Sequence, residues 1–83
     1  MSQLQQLPNL GKVLAKKLEQ VGITTEQQLI ETGSEKAFLL VRSVDPTACI
    51  NHLYAIEGAI HGIRWHSLSK GRKVELNSYF DNI

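Results

Sequence analysis

Four residues near the start of the chain have the types and spacing of an anion-binding site. In the stretch LPNLGKVLAKKLEQVGI, residues 7–23, a helix is predicted whose first turn contains Gly11, Lys12 and Val13. The first backbone N–H groups of a helix have no partner within it, and the positive end of the helix dipole lies behind them. Lys16 follows Lys12 by one turn on the polar face. The pattern predicts contacts to the phosphates of a nucleic-acid backbone, without base recognition.

A second interpretation of the same stretch is a tight corner with no ligand. We call residues 7–11 the corner segment. Pro8 keeps Leu7 extended, and Asn9 both tolerates a positive φ and can cap the following helix. Every helix start has free amides, so the sequence leaves both interpretations open.

The stretch LYAIEGAIHGIRWH, residues 53–66, carries two glycines one helical turn apart. Gly58 and Gly62 each cost about 1 kcal/mol in a helix interior, which predicts a close helix contact where a larger side chain would not fit. A groove for a partner helix is the alternative.

No constellation of residues predicts catalysis. Glu57 and His61 are four residues apart, but no serine or cysteine nucleophile with a partner accompanies them. Cys49 and His52 are three residues apart and could supply two metal ligands, but no second pair completes a metal site. His66 is expected to cap the end of the fourth helix. We therefore predict no catalytic residue, no metal site and no cofactor.

Apolar periodicity and capping residues predict five helices and no strand. The predicted helices cover about Leu10–Val21, Thr25–Thr32, Ser34–Val44, Pro46 to Gly62 or Trp65, and a last one capped by Ser67 or Ser69. The predicted core positions include Val13, Ile30, Val44 and Ile83. The fourth helix is apolar on two sides and is expected to be central. The expected fold is an all-α bundle.

Length and composition indicate one soluble domain over residues 1–83. The chain has nine basic and eight acidic residues, 42% apolar residues and a single cysteine. The near-neutral charge counts against extensive DNA wrapping, and one cysteine excludes an internal disulfide. No apolar run approaches the roughly 20 residues of a membrane span, and the N-terminus lacks a secretory signal. We expect a cytoplasmic protein.

Three stretches together resemble one known family. LPNLGKVLAKKLEQVGITT, CINHLYAIEGAIHGIRWHSL and RKVELNSYF are similar to the C-terminal domain of the TfoX/Sxy competence regulators, from Leu7 to Phe80. The resemblance implies a small, non-enzymatic, helix-hairpin-helix-like domain of bacterial regulators of DNA uptake. The family often has proline at the start of the last helix, where this chain has Ser69 and then Gly71, which weakens that start. Met1 precedes the corner segment closely, so the chain is either a stand-alone member or a fragment of a two-domain protein.

The sequence thus predicts a regulatory interaction domain without a small-molecule substrate or membrane contact. The first mechanism is weak, sequence-independent binding of nucleic-acid backbone by Gly11, Lys12, Val13 and Lys16. The alternative is a protein–protein or self-association module that uses apolar surface around the fourth helix and binds no nucleic acid.

Overall fold

A computed structural model describes residues 3–83 of the chain. Five α-helices follow one another: α1 (Lys12–Gln20), α2 (Glu26–Thr32), α3 (Ser34–Val44), α4 (Ile50–His61) and α5 (Lys70–Asp81). Short 3₁₀ turns precede α1 (Gln3–Gln6) and α5 (Trp65–Ser67). The described residues contain no strand, which confirms the all-α fold.

Helix α4 lies at the centre of the molecule. It packs against α3, α5, α2 and the second 3₁₀ turn, and every residue from Leu53 to Ala59 is buried. The other helices turn their apolar faces toward it and toward one another, and Phe38 of α3 meets Phe80 of α5 with ring centroids 5.8 Å apart. The largest fully buried side chains are Leu4, Leu18, Leu29, Phe38, Val41, Leu53, Ile56 and Leu76.

Two predicted helix starts are capped as expected. The Thr25 hydroxyl accepts a hydrogen bond from the Gln28 amide at 3.1 Å, and the Ser69 hydroxyl accepts one from the Arg72 amide at 3.1 Å. The Gln28 side chain returns to the amide of Thr24 rather than to that of Thr25. Ser69 thereby gives α5 a capped start, although Gly71 follows it closely.

The start of α4 was predicted too early. The Asp45 carboxylate accepts hydrogen bonds from both the amide and the hydroxyl of Thr47, at 3.1 and 2.5 Å, and the Ala48 amide donates to the Asp45 carbonyl. These bonds form a separate turn around Pro46, because a short side-chain acceptor competes with helix formation. The helix begins only after Cys49, whose backbone is extended.

Four predicted core positions are exposed instead. Val13 is 67% exposed, and Ile30, Val44 and Ile83 are between 43% and 48% exposed. Val13, Ile30 and Val44 lie in the first or last turn of their helices, and Ile83 lies beyond the end of α5. Periodicity alone cannot predict whether a residue at a helix end is buried. The exposure of Val13 changes the surface of the candidate site, because it stands beside Lys12.

Candidate nucleic-acid interface

The start of α1 presents free backbone amides to solvent. Gly11 is the N-cap residue, with φ −76° and ψ 174°, and no side chain caps the helix. Within the described part of the chain, no acceptor bonds the amides of Gly11, Lys12 or Val13, and all three residues are exposed. No atom lies within 4 Å of the position that a Cβ on Gly11 would occupy. The predicted anion site therefore has solvent-exposed hydrogen-bond donors, with unoccupied space beside Gly11.

A cleft of about 360 Å³ runs from the start of α1 to the first turn of α4. It brings together Gly11, Lys12 and Val13, whereas Lys16 lies outside it, in a second groove of about 340 Å³ along the outer face of α1. Lys12, Val13 and Lys17 line both. The remaining residues that line the cleft are Asn9, Leu14, Asn51, His52 and Ala55.

Two of the three lysines of α1 are free to bind an anion. Lys12 and Lys16 are exposed and have no acidic partner among residues 3–83, whereas Lys17 forms an ion pair with Asp45. The hydrogen bond from Lys17, followed by that from Thr47, lowers the pKa of Asp45 to about 2. Lys17 therefore binds α1 to the turn before α4, and the positive charge of the site comes from Lys12 and Lys16.

Asn51 and His52 form the wall of the cleft on the α4 side. His52 Nδ1 accepts a hydrogen bond from the Cys49 amide at 3.0 Å, and the Cys49 Sγ lies 3.4 Å from the same atom. The neutral imidazole therefore carries its proton on Nε2 and can act as a donor. The sequence suggested only half a metal site here, and no group of three potential metal ligands exists among the described residues. The adjacent polar residues Asn51 and His52 were the feature of the sequence that could have predicted a polar wall here.

Asn9 connects the corner segment to the far end of α4. It has a positive φ of 70°, as its residue type allows, but it does not cap α1. Its Nδ2 donates to the Ile63 carbonyl at 2.8 Å, and its Oδ1 accepts from the Trp65 amide at 3.0 Å. Both polar atoms of the Asn9 side-chain amide thus bond the segment after α4. These bonds fix the position of the start of α1.

The two glycines of α4 have different roles. A Cβ on Gly58 would lie 2.5 Å from Asn9 Nδ2, 2.8 Å from the Ile63 carbonyl oxygen and 3.1 Å from the Trp65 nitrogen. The close contact is therefore with the corner segment and the turn after α4, not with another helix, and Asn9 occupies the space that a partner helix would need. Gly62 ends α4 at φ 69°, with nothing within 4 Å of a Cβ. The prediction of helix packing at Gly62 was wrong, because its requirement is conformational.

The paired Glu57 and His61 belong to a buried polar network. Glu57 is 4% exposed and accepts hydrogen bonds from Ser34 Oγ at 2.5 Å and from two nitrogens of Arg72 at 3.0 Å each, with His61 Nε2 at 2.7 Å. Burial alone raises the pKa of Glu57, but the bonds from Arg72, Ser34 and His61 outweigh it and lower that pKa to about 2. The carboxylate joins α3, α4 and α5 as a bonded anion. His66 does not cap α4, since it stacks on Trp65.

Comparison with known families supports the resemblance in the sequence. The model of the TfoX C-terminal domain matches residues 1–80. The chain belongs to this family. No curated protein matches the chain.

Two solved structures resemble this TfoX C-terminal domain closely. A crystal structure of an uncharacterized protein from Listeria monocytogenes, triclinic form, is 44% identical, with a TM-score of 0.94 over 95% of this chain and 90% of that one. A tetragonal form of a protein of unknown function from the same organism is also 44% identical, with a TM-score of 0.91 over 94% of this chain and 96% of that one. In the described part of this family member, no helix is long and apolar enough to cross a bilayer.

Proposed function

We propose that this TfoX C-terminal domain is a non-catalytic regulatory module that binds the sugar–phosphate backbone of nucleic acid at the start of α1. Two sets of groups without a partner among residues 3–83 carry the proposal: the backbone amides of Gly11, Lys12 and Val13, and the side-chain cations of Lys12 and Lys16. Such donors suit a phosphate, because the amides point outward and the helix dipole favours a negative charge.

The distribution of charge supports this proposal better than the net charge does. Arg72 and Lys17 are occupied by Glu57 and Asp45, which removes two cations and two anions from the surface balance. Three of the acidic groups that form no ion pair among residues 3–83 lie in residues 19–31, at the end of α1 and in α2. The first turns of α1, which carry Lys12 and Lys16, contain no acidic residue. A chain with a net charge of +1 can therefore present a local basic surface.

The alternative module, which associates with proteins through apolar surface around α4, has less support. Residues 53–59 of α4 are buried within the domain, and Ile60 is only partly exposed. The exposed apolar side chains are spread over several helices and include Val13, Leu39 and Val74. Single exposed apolar residues are normal on a soluble protein. Regulation of DNA-transformation competence in the bacterial cytoplasm is the setting that family membership suggests for this binding.

The direct test is binding to a labelled DNA duplex by fluorescence anisotropy over a series of salt concentrations. Two or three neutralised phosphates give a slope of about −2 to −3 in log K against log salt, with a Kd of about 10⁻⁴–10⁻⁶ M that does not depend on base sequence. Lys12→Glu should abolish binding and leave the thermal midpoint nearly unchanged, because a carboxylate suits a helix start. Lys36→Glu, at an exposed lysine of α3 without an ion pair in the described chain, is the matched control.

Two outcomes would contradict the proposal. One is the absence of DNA binding at low salt while light scattering reports a defined oligomer, which would favour the association module. The other is binding that Lys12→Glu weakens no more than Lys36→Glu does.

A further inference from the structure

A second surface of the molecule combines stacked rings with unopposed positive charge. Residues 58–74 contain no aspartate or glutamate, but they contain four arginines and lysines and two histidines. We call residues 63–73 the basic turn. Arg64 and Lys70 are exposed and have no ion-pair partner in the described chain, whereas Arg72 is held by Glu57. The basic turn therefore has a local charge that complements a polyanion.

The rings of the basic turn are held in a fixed stack. The indole of Trp65 lies nearly parallel to the ring of Tyr54, at 12° and 5.8 Å between centroids, and the His66 ring lies on the indole at 3.9 Å. Lys73 Nζ is 5.6 Å from the indole centroid and donates to the His66 carbonyl at 3.4 Å. Asn77 donates to the Tyr54 hydroxyl and so fixes the base of the stack.

The outermost ring of this stack is available to a ligand. His66 is exposed although its ring lies against the indole of Trp65, whereas Tyr54, two rings further in, is buried. A flat ring that is already ordered loses little entropy when another ring stacks on it. Such stacking is sequence-tolerant, because every nucleobase has a π-face.

The basic turn is attached directly to the proposed phosphate site. Asn9 bonds both Ile63 and Trp65, and Gly11 is only two residues further along the chain. Two Cα–Cα steps span at most about 7.6 Å. One nucleic-acid strand can therefore contact the start of α1 and the basic turn within a few nucleotides.

We propose that the basic turn binds single-stranded nucleic acid, with one base stacked on His66 and the flanking phosphates contacted by Arg64 and Lys70. This inference rests on the proposed backbone binding at α1, which a duplex and a single strand share, and adds a preference for the single strand. In a duplex the bases are already stacked and paired, and extrusion of one of them costs free energy that a single strand does not require. The partner class is unpaired DNA or RNA, which the protein binds by backbone charge and base stacking.

The test compares a labelled oligothymidine with an abasic oligonucleotide of the same length, at one low salt concentration. One stacked base should make the oligothymidine bind about 5- to 100-fold more tightly. His66→Ala should remove this preference without changing abasic binding, and His66→Phe should retain it. Trp65 is the only tryptophan, so its fluorescence should be quenched by the oligothymidine and not by the abasic strand. Lys36→Ala serves as the charge control.

The outcomes separate the two proposals. Equal affinity for both oligonucleotides, or a preference that His66→Ala leaves intact, would overturn stacking at the basic turn. If that binding were still lost in Lys12→Glu, the backbone site at α1 would stand. An oligothymidine affinity that His66→Ala lowers but Lys12→Glu leaves unchanged would overturn the α1 site alone. No binding of either strand at low salt would overturn both.

Discussion

Replacing Gly58 with alanine tests how tightly the corner segment packs against α4. The new methyl carbon would lie 2.5 Å from Asn9 Nδ2 and 2.8 Å from the Ile63 carbonyl oxygen, which are the two atoms of one hydrogen bond. It would also lie 3.1 Å from the Trp65 nitrogen, which donates to Asn9 Oδ1. Two of these three atoms are backbone, so the contact cannot be relieved by rotating a flexible side chain.

The expected loss of stability follows from three contributions. The two hydrogen bonds of Asn9 contribute about 1 kcal/mol each, and overpacking of a close contact costs about 1–3 kcal/mol. The higher helix propensity of alanine returns about 1 kcal/mol. The free energy of unfolding should therefore fall by about 2–4 kcal/mol. In a domain of this size that corresponds to a decrease of at least about 8–16 °C in the thermal midpoint.

Urea and thermal denaturation followed by circular dichroism would measure this change. Gly71→Ala is the matched control, because Gly71 lies in α5 with no atom within 4 Å of a Cβ, and this variant should gain up to about 1 kcal/mol. Gly62→Ala should lose about 1–2 kcal/mol through its left-handed backbone alone. A Gly58→Ala variant as stable as Gly71→Ala would refute the packing argument.

Two further predictions concern the polar contacts between helices. The folded-state pKa of Glu57 is about 2 against an ordinary 4.5, so its contribution of roughly 3 kcal/mol should be complete above pH 4.5 and should be lost as the pH falls toward 2. Urea denaturation between pH 2 and 6 checks this, and Glu57→Gln should be less stable at pH 7 with a flatter profile; an unchanged profile would contradict it. Asn9→Gly keeps the positive φ but removes two hydrogen bonds, so it should cost about 1–3 kcal/mol and speed hydrogen exchange at the Trp65 amide. An equally protected Trp65 amide would count against that role.

Local sequence signals predicted most of the fold. The caps at Thr25 and Ser69 and the glycine at the end of α1 act within one or two turns, and each appears in the structure where expected. Apolar periodicity predicted the five helices but misplaced four core positions. The late start of α4 was missed because Asp45 has two compatible local roles, as a helix cap and as the acceptor of a side-chain turn. The sequence gives no measure of which role has the lower free energy.

The candidate site was predictable only in part, for a different reason. The residue types at Gly11, Lys12, Val13 and Lys16 indicate an anion site by themselves, but their neighbours come from distant parts of the chain. The ion pair of Lys17 with Asp45 spans 28 residues, which decides that this lysine is not available. The His52 wall of the cleft also depends on tertiary packing. No local pattern encodes such contacts.

The hydrogen bonds of Asn9 have a consequence for protein synthesis. Asn9 and Trp65 are 56 residues apart, so these bonds cannot hold the corner segment in place until 56 further residues have been synthesised. At about 5–20 residues per second, that interval is roughly 3–11 s. A nascent or truncated chain that ends before Trp65 would contain every residue of the α1 site and yet lack the bonds that position it. On the proposed function, nucleic-acid binding at the start of α1 would therefore begin only after Trp65 has been synthesised.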